Sequence, residues 1–286
     1  YHQRSLKIRE DIGDKRDIAM SYNNIGNIYT EQGNLEEALI YHQRSLKIKE
    51  DIGDKRGIAY SLNNIGQSLF RQGKLKEALI YHQRSLKIIN QLGENKQIAY
   101  SLNNIGEVYQ AQGSLEEALI YYKKSLKIRK DIGDKHGIAY SFYNIGRIYK
   151  DQGNFQKALT SYLDAHSIAK DIKVLNIISR SSQSLYEIYK ETGKYKQALK
   201  MHEIYLVTKD TLATQDAKEA ATELKYQHHY ETKAKVDSID NLRIRQVKDK
   251  EISRQRQQSY FLYGGLALTL FFAAFIFNRL RLTRRQ

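Results

Sequence analysis

The residues that could do chemistry in this sequence are its eight histidines and the carboxylate pairs of a recurring Asp-Ile-Gly-Asp tetrapeptide. His228 and His229 suggest a metal pair. Neighbours on a helix point in different directions, however, so they cannot share one ion. His42 and His82 lie 40 residues apart, and Tyr122 stands at the next equivalent position. A place that accepts imidazole or phenol alike is a packing place. The carboxylates of Asp51-Ile52-Gly53-Asp54 recur with the same period, and helix capping accounts for an Asp at such a turn. The sequence has no cysteine, which removes disulfides, thiolate zinc sites and thiol nucleophiles together. No Gly-rich phosphate loop occurs, and Gly264-Gly265 sits inside an apolar run where small residues serve helix packing. No catalytic residue, metal site or cofactor is implied.

The polar residues that remain are paired asparagines with a tyrosine before them. The sets are Met20, Asn23, Asn24 and Asn27; Tyr60, Asn63, Asn64, Gln67, Phe70 and Arg71; Tyr100, Asn103, Asn104 and Glu107; and Tyr140, Tyr143, Asn144 and Arg147. A primary amide both donates and accepts, as an extended peptide backbone requires. A tyrosine ring offers contact area at low entropic cost. The same amides could equally hydrogen-bond between repeats and hold the array together. Both roles are open at this point.

These residues must be positioned by a repeat. The period is 40, with columns at Gly33, Gly73, Gly113, Gly153 and Gly193 and at Ala38, Ala78, Ala118, Ala158 and Ala198. A further column, Gly26, Gly66, Gly106 and Gly146, fails at Tyr186, and another, Gly13, Gly53, Gly93 and Gly133, fails at Lys173. Ile58, Leu62, Ile65 and Leu69 mark a first helix by their spacing, and Gly73 suits the left-handed residue that closes it. A second helix starts near Leu75 and carries Ala78, Leu79, Leu86 and Ile88. Gly66 and Ala78 are expected at the crossing of the two. One such pair cannot bury both its faces, so pairs must stack. Proline is absent, in keeping with long helices joined by glycine turns.

At these residues the chain resembles the tetratricopeptide family. Ile25-Gly26…Tyr29, Ile105-Gly106…Tyr109 and Ile145-Gly146…Tyr149 match its first-helix pattern, and the turn Gly and the Ala follow each time. The longer unit is similar to that of kinesin light chains and the Leu-Gly-Asn repeat proteins. The resemblance covers about residues 1–213. It implies an all-α superhelical solenoid that binds a protein or extended peptide on the face lined by its first helices. It also implies that the second Asn of each pair, Asn24, Asn64, Asn104 and Asn144, contacts peptide backbone; the last unit departs with Ser184. The candidate groove is therefore Asn24, Tyr60, Asn63, Asn64, Gln67, Tyr100, Asn103, Asn104, Tyr140, Tyr143, Asn144 and Arg147. Residues 174–213 read as a degenerate capping repeat, with Asp171-Ile172-Lys173-Val174 at its entry.

Residues 214–258 are charged, lack Gly and Pro, and read as one connector helix. Ala217, Ala220, Leu224, Val236, Ile239 and Leu242 hint at an apolar stripe, which makes a homodimeric coiled coil a modest expectation beside a solvated spacer. Residues 260–277, YFLYGGLALTLFFAAFIF, are 18 without a charge. At about 1.5 Å per residue they reach about 27 Å, close to the hydrocarbon thickness of a bilayer. A transmembrane helix is expected over 259–278, followed by a basic tail at 279–286.

The formal net charge is +15, and from Arg243 onward ten Lys/Arg face two acids. With no nucleic-acid motif beside it, that excess points to anionic headgroups and not to nucleic acid. Four arginines follow the apolar run and four basic residues precede it, so the count of flanking charge barely decides orientation. The expectation is a single pass through a bacterial inner membrane, with the repeats periplasmic and the C terminus cytoplasmic. The opening YHQRSLKIRE lies inside a repeat, so a further segment upstream is expected.

The layout resembles Bacteroidetes-type sensor proteins, and the apolar segment resembles the anchor that precedes SpoIIE-type serine phosphatases; related proteins carry histidine kinases. That resemblance implies an input module whose output domain would follow. A static envelope scaffold is the alternative.

Overall fold

The computed structural model describes residues 13–283, side chains at 223, 234, 275 and 277–283 excepted. The expected partial repeat at the start, and the basic side chains of the tail, lie outside the described residues. The chain divides into two compact units, Tyr1–Ala213 and Thr214–Gln286.

In the first unit, α-helices alternate with short turns: α1 (Lys15–Glu31), α2 (Leu35–Asp51), α3 (Lys55–Arg71), α4 (Leu75–Leu92), α5 (Asn95–Ala111), α6 (Leu115–Asp131), α7 (Lys135–Asp151), α8 (Phe155–Asp171), α9 (Leu175–Glu191) and the start of α10 (Tyr195–Thr283). The odd-numbered helices are the first of each pair. Each of α1, α3, α5 and α7 packs on the helix after it, and each of α3, α5, α7 and α9 on the helix before it. Odd helices also touch the next odd helix, α1 to α3, α3 to α5 and α7 to α9. Within this unit they are therefore the helices drawn together on the inner face. This is the all-α solenoid of stacked helix pairs that the period of 40 leads one to expect.

The turns follow from the sequence. Asp54 and Asp134 accept at Oδ1 from the backbone N–H of Gly57 (3.0 Å) and Gly137 (2.9 Å), so the second carboxylate of each Asp-Ile-Gly-Asp turn is an N-cap. Gly73 closes α3 at φ +76°. Lys173 holds φ +56° where earlier units have glycine, so the stack imposes the left-handed turn even on a residue with a β-carbon.

At the helix crossing the structure names the residue that the small side chain makes room for. Gly66 faces His82: a β-carbon at Gly66 would lie 2.8 Å from the imidazole Cε1. The relation repeats as Gly26 under His42, Gly106 under Tyr122 and Gly146 under Tyr162. The ring fills the space that glycine leaves, and His42, His82, Tyr122 and Tyr162 are all buried. Ala78 is fully buried too, but packs in a cluster with Ile65, Leu69 and Val108. Where the glycine column fails, Tyr186 lies beside His202, ring centroids 4.6 Å apart. The serines form another periodic contact: Ser45, Ser85 and Ser125 donate to the carbonyls of Ala19, Ala59 and Ala99 at 2.7–2.8 Å.

The second unit is helical throughout its described residues. It belongs to α10, which runs unbroken past Thr214, since no Gly or Pro occurs between Tyr195 and Tyr263 to end it. Its apolar residues, including Leu224, Val236, Ile239, Leu242, Phe261 and Leu262, are exposed. Among the described residues no helix is long and apolar enough to cross a membrane. The uncharged run 260–277 includes Phe275 and Phe277, whose side chains fall outside the description.

Candidate functional site

The candidate site is the face formed by α1, α3, α5, α7 and α9. The asparagines on these helices are organised as a ladder. Asn64 donates through Nδ2 to Asn23 Oδ1 (2.9 Å) and Asn27 Oδ1 (3.2 Å). Asn104 donates to Asn63 Oδ1 (2.9 Å), and Asn144 to Asn103 Oδ1 (3.0 Å). In each rung the second Asn of one repeat donates to the first Asn of the repeat before. The next rung would need an acceptor at position 143 and a donor at 184. Tyr143 and Ser184 stand there instead.

This places the predicted residues in two layers. Asn63, Asn103, Asn104, Asn144 and Tyr143 are buried. They stand behind the face and tie one repeat to the next. Asn24, Tyr60 and Tyr100 are exposed on it, and Asn64, Gln67, Tyr140 and Arg147 are half-buried. Between α3 and α5, Tyr60 and Tyr100 border a hollow floored by Ala59, Asn63, Ile89 and Ser101.

Toward α9 the face becomes charged. Glu107 Oε1 accepts from Asn103 Nδ2 (3.0 Å) and from the Tyr140 hydroxyl (3.1 Å). Burial raises the Glu107 carboxyl above the usual carboxylate range, against the pull of those hydrogen bonds and of Arg147 and Arg180. Arg180 lies over the Tyr143 ring, 4.6 Å from its centroid. Lys150 pairs with Glu187 at the same end. Sequence reasoning did not select Arg180. Its register did mark it, since it stands in the column of Tyr60, Tyr100 and Tyr140.

Two further cations escaped that reasoning, Lys49 and Arg129, both buried on second helices. Lys49 Nζ donates to Ser61 Oγ (3.0 Å), and Arg129 donates to the Gly137 carbonyl (2.6 Å). Each lies against a glycine: a β-carbon at Gly57 would be 2.8 Å from Lys49 Cδ, and one at Gly137 would be 2.6 Å from Arg129 Cδ. Burial lowers the pKa of both groups, and Asp54 and Asp134 respectively oppose the shift. Among the described residues no cluster of His, Asp or Glu could hold a metal ion.

A family model of the tetratricopeptide repeat matches residues 1–51, 57–131 and 97–171. The chain belongs to the tetratricopeptide-repeat family. A comparison with curated proteins gives no match. Among solved structures, this tetratricopeptide protein is similar to BtubC from P. vanneervenii, at 15% identity and TM-score 0.65, over 74% of this chain and 89% of that one. It is also similar to a Rap protein solved in complex with Competence and Sporulation Factor, at 17% identity and TM-score 0.60, over 68% of this chain and 54% of that one. A Podosopora anserina kinesin light chain with nearly identical repeats aligns at 17% identity and TM-score 0.54, over 68% and 95%. Likeness at this identity is a likeness of fold. As a tetratricopeptide array, the chain is a protein-interaction module.

Proposed function

We propose that the chain is a membrane-anchored tetratricopeptide module that receives an extended segment of a partner protein on its first-helix face and serves as the input part of a bacterial signalling protein. The observation that carries the peptide reading is the uncovered pair of rings, Tyr60 (37% exposed) and Tyr100 (48% exposed), on the helices whose asparagines form the ladder. Such rings are stiff anchors, and the ladder beneath fixes their spacing from repeat to repeat. The Rap structure, solved with Competence and Sporulation Factor, shares this architecture and supports the reading by fold.

The anchor rests on the 18 uncharged residues 260–277 and on the exposure of those described, such as Phe261 at 85% and Leu262 at 72%. Apolar side chains left so bare on a helix need a cover, and a hydrocarbon slab is the cover that suits all sides of a helix at once. The arginines after it would face the cytoplasm and the repeats the periplasm, by resemblance in layout to repeat-bearing sensors.

Two measurements test this. The full chain should stay with bacterial membranes through alkaline carbonate washing; release by carbonate ends the anchor reading. Protease added to sealed inverted membrane vesicles should spare the repeats if they are periplasmic; digestion would reverse the orientation.

A further inference from the structure

The last helix pair bares an apolar face that the earlier pairs cover. Leu39 and Leu46 of α2 pack against the cluster that holds Ile65 and Leu69 of α3, the first helix that follows. Leu119 and Leu126 of α6 pack against the cluster of Ile145 and Ile148 on α7, and Leu159 of α8 against that of Leu185 and Ile188 on α9. The same two columns in α10 are Leu199, 60% exposed, and Leu206, 48% exposed. Tyr195 beside them, in the column of Leu75 and Leu115, is 70% exposed. The helix continues through Ala213, in the column of Gly53 and Gly133, so no turn stands there at which another first helix could begin.

The end of a solenoid ordinarily turns a polar face to water. The last unit does abandon the repeat pattern at Lys173, Ser184 and Tyr186, yet it keeps leucine at both of these columns. Neighbouring bare apolar side chains of this kind mark a binding surface. The polar columns beside it say what fits. Lys150 of α7 pairs with Glu187 of the following first helix, and its counterpart on α9, Lys190, is exposed. Asn23, Asn63 and Asn103 each accept from an amide of the following first helix, and their counterpart on α9, Gln183, is exposed too. A cover that meets all of these is a helix with an amide, an aliphatic residue, any residue, a carboxylate and a second aliphatic residue in succession. Asn104-Ile105-Gly106-Glu107-Val108 has that order inside this chain.

We propose that the end face of the stack, Tyr195, Leu199 and Leu206 with Gln183 and Lys190 at its edge, docks an amphipathic helix of a partner protein, laid down as one more first helix. The leucines supply the contact area. Lys190 and Gln183 set the register, as Lys150 and the asparagines do between repeats. The inference does not depend on the first-helix groove.

The probe is a fluorescein-labelled synthetic peptide of residues 95–111, the first helix of this chain with the required order. Titration with the purified full chain should raise its fluorescence anisotropy to saturation. Leu199→Asp and Leu206→Asp should each weaken binding roughly tenfold or more, since each removes an aliphatic contact and sets a charge in the interface. Both leucines are exposed, so circular dichroism of these variants should stay that of wild type. Lys190→Glu leaves the apolar face untouched and should reverse the preference, weakening the wild-type peptide and strengthening the Glu107→Lys peptide. Tyr60→Ala combined with Tyr100→Ala should leave binding unchanged. Absence of saturable binding, indifference to Leu199→Asp and to Lys190→Glu, or loss through the tyrosine variant overturns the end-face site; only the last of these would speak for the groove. Self-association in sedimentation that Leu199→Asp abolishes would give the face to a second copy of the chain and overturn the partner helix.

Discussion

Asn104 reaches across the α3–α5 interface and donates to Asn63 Oδ1 at 2.9 Å, with both side chains buried. This pair is the middle rung of a ladder that depends on amides at successive registers 41 residues apart. Shape alone would not align one repeat on the next so strictly. An amide placed one turn away would leave a donor and an acceptor buried without partners.

Asn104→Leu should therefore destabilise the stack by about 1–3 kcal/mol, the cost of removing one partner from a buried hydrogen bond. Urea unfolding followed by circular dichroism measures it. Asn24→Leu, at an exposed position outside the rungs, should change stability by less than about 0.5 kcal/mol. Equal effects from the two would remove the structural role of the ladder.

Gly66→Ala sets a β-carbon 2.8 Å from the His82 ring. Overpacking of this kind costs about 1–3 kcal/mol. The double variant Gly66→Ala with His82→Ala should be less destabilised than the sum of the two single variants. A double-mutant cycle that adds without coupling would show that the two residues do not meet.

Burial lowers the His82 pKa from 6.5 to about 4, and burial, then Lys49, lowers that of His42 to about 4 as well. A folded-state pKa below the unfolded one means that the unfolded chain binds more protons between the two values. Stability is thus fully present above pH 6.5 and is lost as pH falls toward 4, each histidine contributing up to about 1.4 kcal/mol per pH unit. Glu107, raised by burial, acts with the opposite sign: its contribution is present below the ordinary carboxylate pKa and is lost as pH rises from there through its folded value. His82→Tyr copies the ring that Tyr122 places over Gly106, and should flatten the slope of unfolding free energy between pH 4 and 6.5 by about one histidine's share. An unchanged slope would mean that His82 does not titrate on unfolding.

Lys173 keeps φ +56° in a turn that glycine occupies in the earlier units. Lys173→Gly should raise stability by about 1 kcal/mol, since left-handed backbone costs a residue with a β-carbon about 1–2 kcal/mol and glycine returns part of that through unfolded-state entropy. Thermal unfolding is the readout. A lower melting temperature would show that the turn carries no strain.

The column at Lys173 also shows what periodicity conveys and what it withholds. A failed glycine could mean a lost turn or a strained one. The turn persists because the helices on both sides are packed into the stack, which is a tertiary constraint. Gly66 is similar. Its smallness announced a close approach, but only the structure shows that the ring set over it is His82. Spacing along a helix gives the face, whereas the opposing residue depends on how far one helix slides along the other. The groove shows the same limit. Asparagine pairs at period 40 were legible as a hydrogen-bonding array, while their division into buried rungs and exposed surface was not.

The sequence by itself determined the repeat, its two helices, their glycine and aspartate turns and the helical stack, because each follows from local pattern and a period of 40. Only the tertiary structure decided which amides are spent between repeats, and that Glu107 accepts from both Asn103 and Tyr140. A side chain's free hydrogen-bonding atoms are those its neighbours leave over, and the neighbours come from the repeat before and the repeat after.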